Sequence, residues 1–215
     1  MGLGKTIQVL SLILETPELH PNLIVVPHGL ILNCMEEIME KTNIPQDDIH
    51  LFHGQYQAMQ PEDLEQKRIV ITTYGTLSIE AIDGNLPLWH IKFQHIIADK
   101  ADVLKNSAGL SFNSIIKLYT CKMLLITATP FQNNFMDLYS YFCLLKVYQG
   151  TQRDFKQIVI EEKNANRLVE WVTQNIGHLV LRHKVFKLLT YQSVSLPFKD
   201  RVKNISPIDI FKLPV

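Results

Sequence analysis

Five short apolar runs recur along the chain with room for a helix between successive runs, and this alternation restricts the fold more than any other feature. The runs are Leu23-Ile24-Val25-Val26, Ile49-His50-Leu51-Phe52, Ile69-Val70-Ile71-Thr72, His95-Ile96-Ile97-Ala98 and Met123-Leu124-Leu125-Ile126. Each is largely β-branched or leucine-rich and ends at polar, glycine or proline residues, which predicts buried parallel strands. Apolar residues at three- and four-residue spacing predict helices over 6–14, 30–41, 76–82, 110–119 and 134–145. Strand and helix in strict alternation imply an α/β fold, a parallel sheet covered on both faces.

After Lys146 the pattern changes to a charged segment, a predicted helix over 164–175 and the run His178-Leu179-Val180-Leu181. Pro197, Pro207 and Pro214 then punctuate a stretch with little periodicity, read as a loosely held linker. The expected divisions are therefore 1–147, 148–196 and 197–215. With 47% hydrophobic residues in 215, the chain can bury a sizeable core in one domain, or one plus an appendage. The net charge of zero conceals an asymmetry. Residues 1–145 carry 9 Lys and Arg against 15 Asp and Glu, and residues 146–215 carry 12 against 6, so the C-terminal part is basic. Arg182-His183-Lys184, Lys187, Lys199, Arg201 and Lys203 could meet nucleic-acid phosphates; a merely solvated basic face fits the charge equally well.

No apolar run approaches the roughly 20 residues of a membrane span, and no basic start is followed by an apolar signal segment. The chain is accordingly expected to be globular, with no membrane partner. Cys34, Cys121 and Cys143 are odd in number and far apart, and are expected as buried, reduced thiols of an intracellular protein. His50 and His53 lack the company a metal site needs and read as surface or strand-edge residues.

Two motifs carry chemistry. In Met1-Gly2-Leu3-Gly4-Lys5-Thr6 the glycines let the backbone turn tightly enough for successive N–H groups to face phosphate oxygens, and the helix that follows adds its positive end. Lys5 would reach the terminal phosphates, and the Thr6 hydroxyl would hold magnesium. An ordinary glycine-containing helix start is the plain alternative, weakened by Ile7, Val9, Leu10, Ile13 and Leu14, an apolar set suited to burial beside a sheet. The second motif is Ile96-Ile97-Ala98-Asp99-Lys100-Ala101-Asp102, a strand ending in a candidate magnesium ligand, Asp99. Ligands gather at the carboxyl ends of parallel strands, so the two motifs are expected to meet there.

Taken together with Leu23-Ile24-Val25-Val26-Pro27, Asn33 and Glu37, Ile71-Thr72-Thr73-Tyr74, the stretch from Asp99 to Asn106, and Leu125-Ile126-Thr127-Ala128-Thr129-Pro130-Phe131-Gln132-Asn133, these motifs occur in the order found in SWI/SNF-type ATPases. The resemblance covers residues 1 to about 147 as the first RecA-like motor lobe, and Leu181-Arg182-His183-Lys184 resembles the Leu-Arg-Arg-x-Lys stretch that follows that lobe. It implies a three-layer RecA-like P-loop lobe with a partly helical C-terminal extension. It also implies a nuclear, ATP-driven translocase on double-stranded DNA, used in chromatin remodelling, transcription or repair. Carried over position by position, Gly2, Gly4, Lys5 and Thr6 would bind ATP, and Thr6 and Asp99 would hold Mg2+. Asp102, Thr127, Thr129 and Gln132 would link nucleotide state to DNA grip. Pro27, Thr72, Thr73 and Tyr74 match family stretches that touch the DNA backbone.

Departures from that pattern carry as much information. The family's Asp-Glu-Ala-His becomes Asp99-Lys100-Ala101-Asp102, which puts a lysine at the water-activating position and an aspartate at the coupling one. An ammonium cannot accept water's proton, so the expectation is nucleotide binding with impaired hydrolysis. Cys34 stands where the family usually has tryptophan. The usual eight-residue phosphate loop would begin two residues before Met1, and the arginines that complete the family's ATP site come from a second RecA-like lobe. The expectation is a chain inactive by itself, with the strand before the loop and the second lobe missing from it. A DNA- or nucleotide-binding pseudo-ATPase module and a non-functional relic are the alternatives.

Overall fold

A computed structural model describes residues 5–16, 21–54, 59–83, 87–128 and 136–161. The chain divides into two compact units, Met1–Lys146 and Val147–Val215. The described elements of the first are α1 (Lys5–Glu15), β1 (Asn22–Val26), α2 (Ile31–Lys41), β2 (Ile49–Leu51), α3 (Pro61–Glu65), β3 (Ile69–Thr73), α4 (Tyr74–Asp83), β4 (Lys92–Asp99), α5 (Leu110–Ile115), β5 (Tyr119–Ile126) and α6 (Asp137–Leu144). The strands form one sheet in the order β2-β3-β1-β4-β5, every pair parallel. All five expected strands are present, and the first unit is the expected α/β lobe.

Strands β1 and β3 are buried along their whole length, because each has a neighbour on both sides and cover on both faces. On one face Ile24, Val26, Ile69, Ile71 and Ile97 pack with Val9, Leu10 and Ile13 of α1 and Ile31 and Ile38 of α2. Burying each such side chain contributes about 1.5–3 kcal/mol, so this cluster is the chief support of the strand ends described below. Toward the other face, α4 and α5 pack on each other, and the Ser78 and Ser111 hydroxyls lie 3.2 Å apart.

The edges depart from expectation. Strand β2 is half-buried throughout, and in β5 no residue is fully buried, although both read as buried strands in the sequence. An edge strand keeps its apolar composition but is covered from one side only. Cys121 on β5 is correspondingly exposed, and Cys34 and Cys143 are half-buried, which corrects the expectation of three buried thiols; all three are free. Helix α5 stops at Ile115 rather than at Tyr119, because Tyr119 is drawn into β5 opposite Lys92. Helix α3, which the periodicity did not predict, opens on Pro61 at its first position, where proline's fixed φ and missing N–H cost nothing.

In the second unit the described structure is α7 (Gln152–Glu161). Its start is a reciprocal cap: Asp154 N donates to Thr151 Oγ1 at 3.2 Å, while Thr151 N donates to Asp154 Oδ2 at 3.1 Å. The expected helix over 164–175 and the run His178-Leu179-Val180-Leu181 lie outside the described residues.

Candidate functional site

The register of the sheet brings separate sequence motifs to one line. Val26 pairs with Thr73, Val25 with Ala98, and Asp99 with Ile126, so the carboxyl ends of β3, β1, β4 and β5 stand level. The next residues are Tyr74, Pro27, Lys100 and Thr127, drawn from four of the stretches singled out in the sequence. The strand order also reverses here. From β1 the chain goes to β2 and β3 on one side and then to β4 on the other, which opens a crevice at the carboxyl ends of β1 and β4.

Asp99 is the last residue of β4 and is half-buried. Its carbonyl accepts a hydrogen bond from the Tyr74 hydroxyl at 2.7 Å, and its Oδ1 accepts one from the Lys100 amide at 2.9 Å. Lys100 makes the second bond possible by taking a left-handed conformation, φ 54° and ψ 46°. For a residue with a Cβ this costs about 1–2 kcal/mol, so the surrounding bonds must hold it there. They do so from beyond the turn as well. Val103 N donates to the Lys100 carbonyl at 3.2 Å, buried Ala101 and Leu104 anchor the following 3-10 turn, and Ser140 Oγ of α6 donates to the Lys105 carbonyl at 2.6 Å. Asp102 projects from the turn into solvent, and its Oδ1 lies 3.5 Å from Thr127 Oγ1, at the long limit of a hydrogen bond.

Lys5 and Thr6 open α1, whose Val9, Leu10 and Ile13 share a core cluster with Ile31 and Ile38 of α2. The Thr6 hydroxyl bonds the carboxylate of Glu37 on α2, which also pairs with Lys41 at 3.0 Å; Lys41 and then Thr6 hold the Glu37 carboxyl below its ordinary range. One turn back on α2, the Cys34 thiol is pushed up to about 12, first by burial and then by the charges of Asp99 and Glu37. Cys34 therefore lies within electrostatic reach of both the carboxylate at the end of β4 and the one that meets the start of α1. The family resemblance includes positions 34 and 37 but implies no place for either in the site. Their three-residue spacing on a helix that follows β1 is the signal that places both on one face.

The oxygen donors gathered here suit a hard divalent cation. Among the described residues no three His, Cys, Asp or Glu side chains come close enough to hold a metal ion by themselves. Magnesium takes one or two protein oxygens and completes its shell from phosphates and water.

The stretch expected at DNA is buried. Thr72 Oγ1 donates to the Phe52 carbonyl at 2.9 Å, and Thr73 Oγ1 accepts from Thr76 N at 3.0 Å and caps α4. Tyr74 is 5% exposed. Pro27 is half-buried and starts an exposed turn, His28–Leu30, whose His28 ring lies 4.9 Å from that of His53. His53 Nδ1 is 2.7 Å from Thr76 Oγ1, so the histidine, the cap and the turn form one cluster beside the crevice. Gly2, Gly4, Thr129 and Gln132 lie outside the described residues.

Residues 1–208 match the model of one protein family, described as the SNF2-related domain. The helicase SWR1 of Yarrowia lipolytica is 29% identical over 194 residues, 84% of this chain and 10% of that protein. A Xenopus tropicalis protein named SWI/SNF-related matrix-associated actin-dependent regulator of chromatin subfamily A containing DEAD/H box 1 is 26% identical over 219 residues, 94% of this chain and 22% of that protein. The chain thus spans about a tenth to a fifth of the length of these relatives. Among solved structures, the Sulfolobus solfataricus SWI2/SNF2 ATPase core in complex with dsDNA superposes with a TM-score of 0.72 at 26% identity, covering 85% of this chain and 38% of that one.

Proposed function

Since the chain belongs to the SNF2-related domain family and is an ATPase motor domain related to chromatin remodellers, we propose that residues 1–147 are the ATP-binding lobe of a double-stranded DNA translocase, able to hold nucleotide but impaired in hydrolysing it. The observations that carry this are the level carboxyl ends of β1, β4 and β5, which put Asp99, Lys100 and Thr127 at one end of the sheet, and the Thr6–Glu37 hydrogen bond beside Cys34, whose thiol feels the charges of both Asp99 and Glu37. Gly2, Gly4, Lys5 and Thr6 would bind ATP; Thr6 and Asp99 would hold Mg2+, which neutralises phosphate charge when bound. The Thr6 hydroxyl can donate its proton to Glu37 and still offer an oxygen lone pair to the metal.

Lys100 stands where a proton acceptor is needed. Loss of a positioned general base costs roughly 10²- to 10⁴-fold in rate, about 2.7–5.4 kcal/mol of barrier. Its ammonium can instead attract the γ-phosphate. Asp102, Thr127, Thr129 and Gln132 would report nucleotide state to the DNA side. Because Thr72, Thr73 and Tyr74 are buried, their part would be to shape the end of β3, leaving direct contact to the Pro27 turn. Residues 148–196 would form the extension after the lobe and 197–215 a linker, with a second RecA-like lobe as partner, in the nucleus.

The test is nucleotide binding followed by equilibrium fluorescence, with turnover measured on this chain alone and with a second lobe supplied in trans. Binding that needs magnesium and disappears in Lys5→Ala, with turnover appearing only in Lys100→Glu, supports a disabled motor. Absence of nucleotide binding in every form removes the proposal.

A further inference from the structure

The end of β3 and the end of β4 are joined by a single side chain. Tyr74 directly follows Thr73, whose cap partner Thr76 meets His53 beside His28 of the Pro27 turn, and its hydroxyl reaches across β1 to the carbonyl of Asp99 at 2.7 Å. That carbonyl belongs to the same peptide unit as the Lys100 amide, and the Lys100 amide holds Asp99 Oδ1 at 2.9 Å. The phenol thus grips the peptide plane that aims the carboxylate. Both ends of the link are fixed. Tyr74 is the first residue of α4, capped by Thr73 Oγ1, and its own carbonyl accepts from Ser78 Oγ at 2.7 Å. At the far end, Lys100 is held left-handed by the 3-10 turn. A tilt of the Asp99–Lys100 peptide therefore moves both Tyr74 and the carboxylate, and a shift at the start of α4 does the same in reverse.

We propose that Tyr74 is a positioning residue that transmits displacement of the β3–α4 junction to the orientation of the Asp99 carboxylate, so that double-stranded DNA and magnesium nucleotide bind with linked affinities through this one hydrogen bond. The inference rests on the proposed function above and adds to it the route between the two sites. Burial, followed by the nearby Asp99 and Asp102 carboxylates and Tyr141, raises the Tyr74 phenol above its ordinary range, so it stays a donor at every working pH. Linkage between sites is reciprocal, so the same factor must appear whichever ligand is added first.

The experiment titrates a fluorescent, non-hydrolysable ATP analogue with Mg2+ into the full chain, with and without a short DNA duplex, for the parent, Tyr74→Phe and Ser78→Ala. Phenylalanine keeps the ring and its packing and removes only the hydroxyl. Ser78→Ala removes a bond from the same helix turn while leaving the phenol in place, so it controls for loosening of α4. DNA is expected to tighten nucleotide binding about 5- to 10-fold in the parent and in Ser78→Ala, and by less than about twofold in Tyr74→Phe. Amide exchange at Lys100 is expected to slow on DNA binding in the parent and not in Tyr74→Phe. Equal linkage in the parent and Tyr74→Phe overturns this inference while leaving nucleotide binding intact, as does loss of linkage in Ser78→Ala to the same extent. A parent chain that binds no nucleotide overturns the proposed function and this inference together.

Discussion

At the residue scale, the Cys34 and Cys121 thiols give the most direct check on the site's geometry. Cys34 is half-buried with its thiol pushed up to about 12, whereas Cys121 is exposed on the edge strand. Because the thiolate is the nucleophile, alkylation at pH 7.5 is expected to label Cys121 at least about tenfold faster than Cys34, read by peptide mass spectrometry. Comparable rates would mean that Cys34 is neither buried nor facing carboxylates. Position 100 divides differently between sequence and structure. The missing proton acceptor is legible from the lysine itself, but nothing in the sequence announces that this lysine is left-handed or that its amide holds Asp99. Backbone conformation at a non-glycine residue is imposed by the bonds around it, here those to Val103 and Asp99.

At the element scale, α4 depends on Thr73. The last residue of β3 supplies the oxygen for Thr76 N, so strand and helix meet with no loop between them. Thr73→Ala is expected to cost about 1 kcal/mol, and Thr73→Ser to restore most of it, as midpoint shifts in urea unfolding with unchanged slope. The sequence expected this helix to start at Thr76, because the apolar spacing begins there and the capping hydroxyl lies inside a run that reads as strand. Helix α7 shows the opposite case. Its Thr151-x-x-Asp154 signature is local and legible, yet charge density masks it when only apolar periodicity is followed. Phe155 of that helix is buried, and its ring meets that of Tyr148 at 5.3 Å.

At the scale of the whole first unit, stability rests on the cover of the sheet. Ile97, 1% exposed and in contact with the α1 and α2 layer, is expected to cost about 2–5 kcal/mol on replacement by alanine, measured by denaturant unfolding. A cost under about 1 kcal/mol would mean that α1 does not pack there. The opposite end of the sheet carries a pH sensitivity. His95 is fully buried on β4, its Nδ1 lies 2.7 Å from Asn22 Oδ1, and its Nε2 meets no partner among the described residues. Burial, and then Lys122, pushes its pKa down to about 4. An unfolded histidine binds a proton near pH 6.5, whereas the folded one resists until near pH 4. Its contribution is therefore fully present above pH 6.5, falls as the pH drops from 6.5 toward 4, and amounts to roughly 3 kcal/mol across that window. Unfolding midpoints measured from pH 7.5 to 4.5 should decline over this range, and His95→Phe should flatten the decline.

The amino-acid sequence by itself determined the five strands, most of the helices and the candidate chemistry, because alternating apolar runs and a phosphate-loop motif are properties of neighbouring residues. It also fixed the lysine at position 100. Tertiary structure alone decided which strands became edges, and hence that Cys121 is exposed. It alone decided that Glu37 meets Thr6, that Cys34 comes under the charges of Asp99 and Glu37, and that Tyr74 turns inward to hold Asp99. Those outcomes depend on strand order and register, which join residues 25 or more positions apart through contacts that no local pattern encodes.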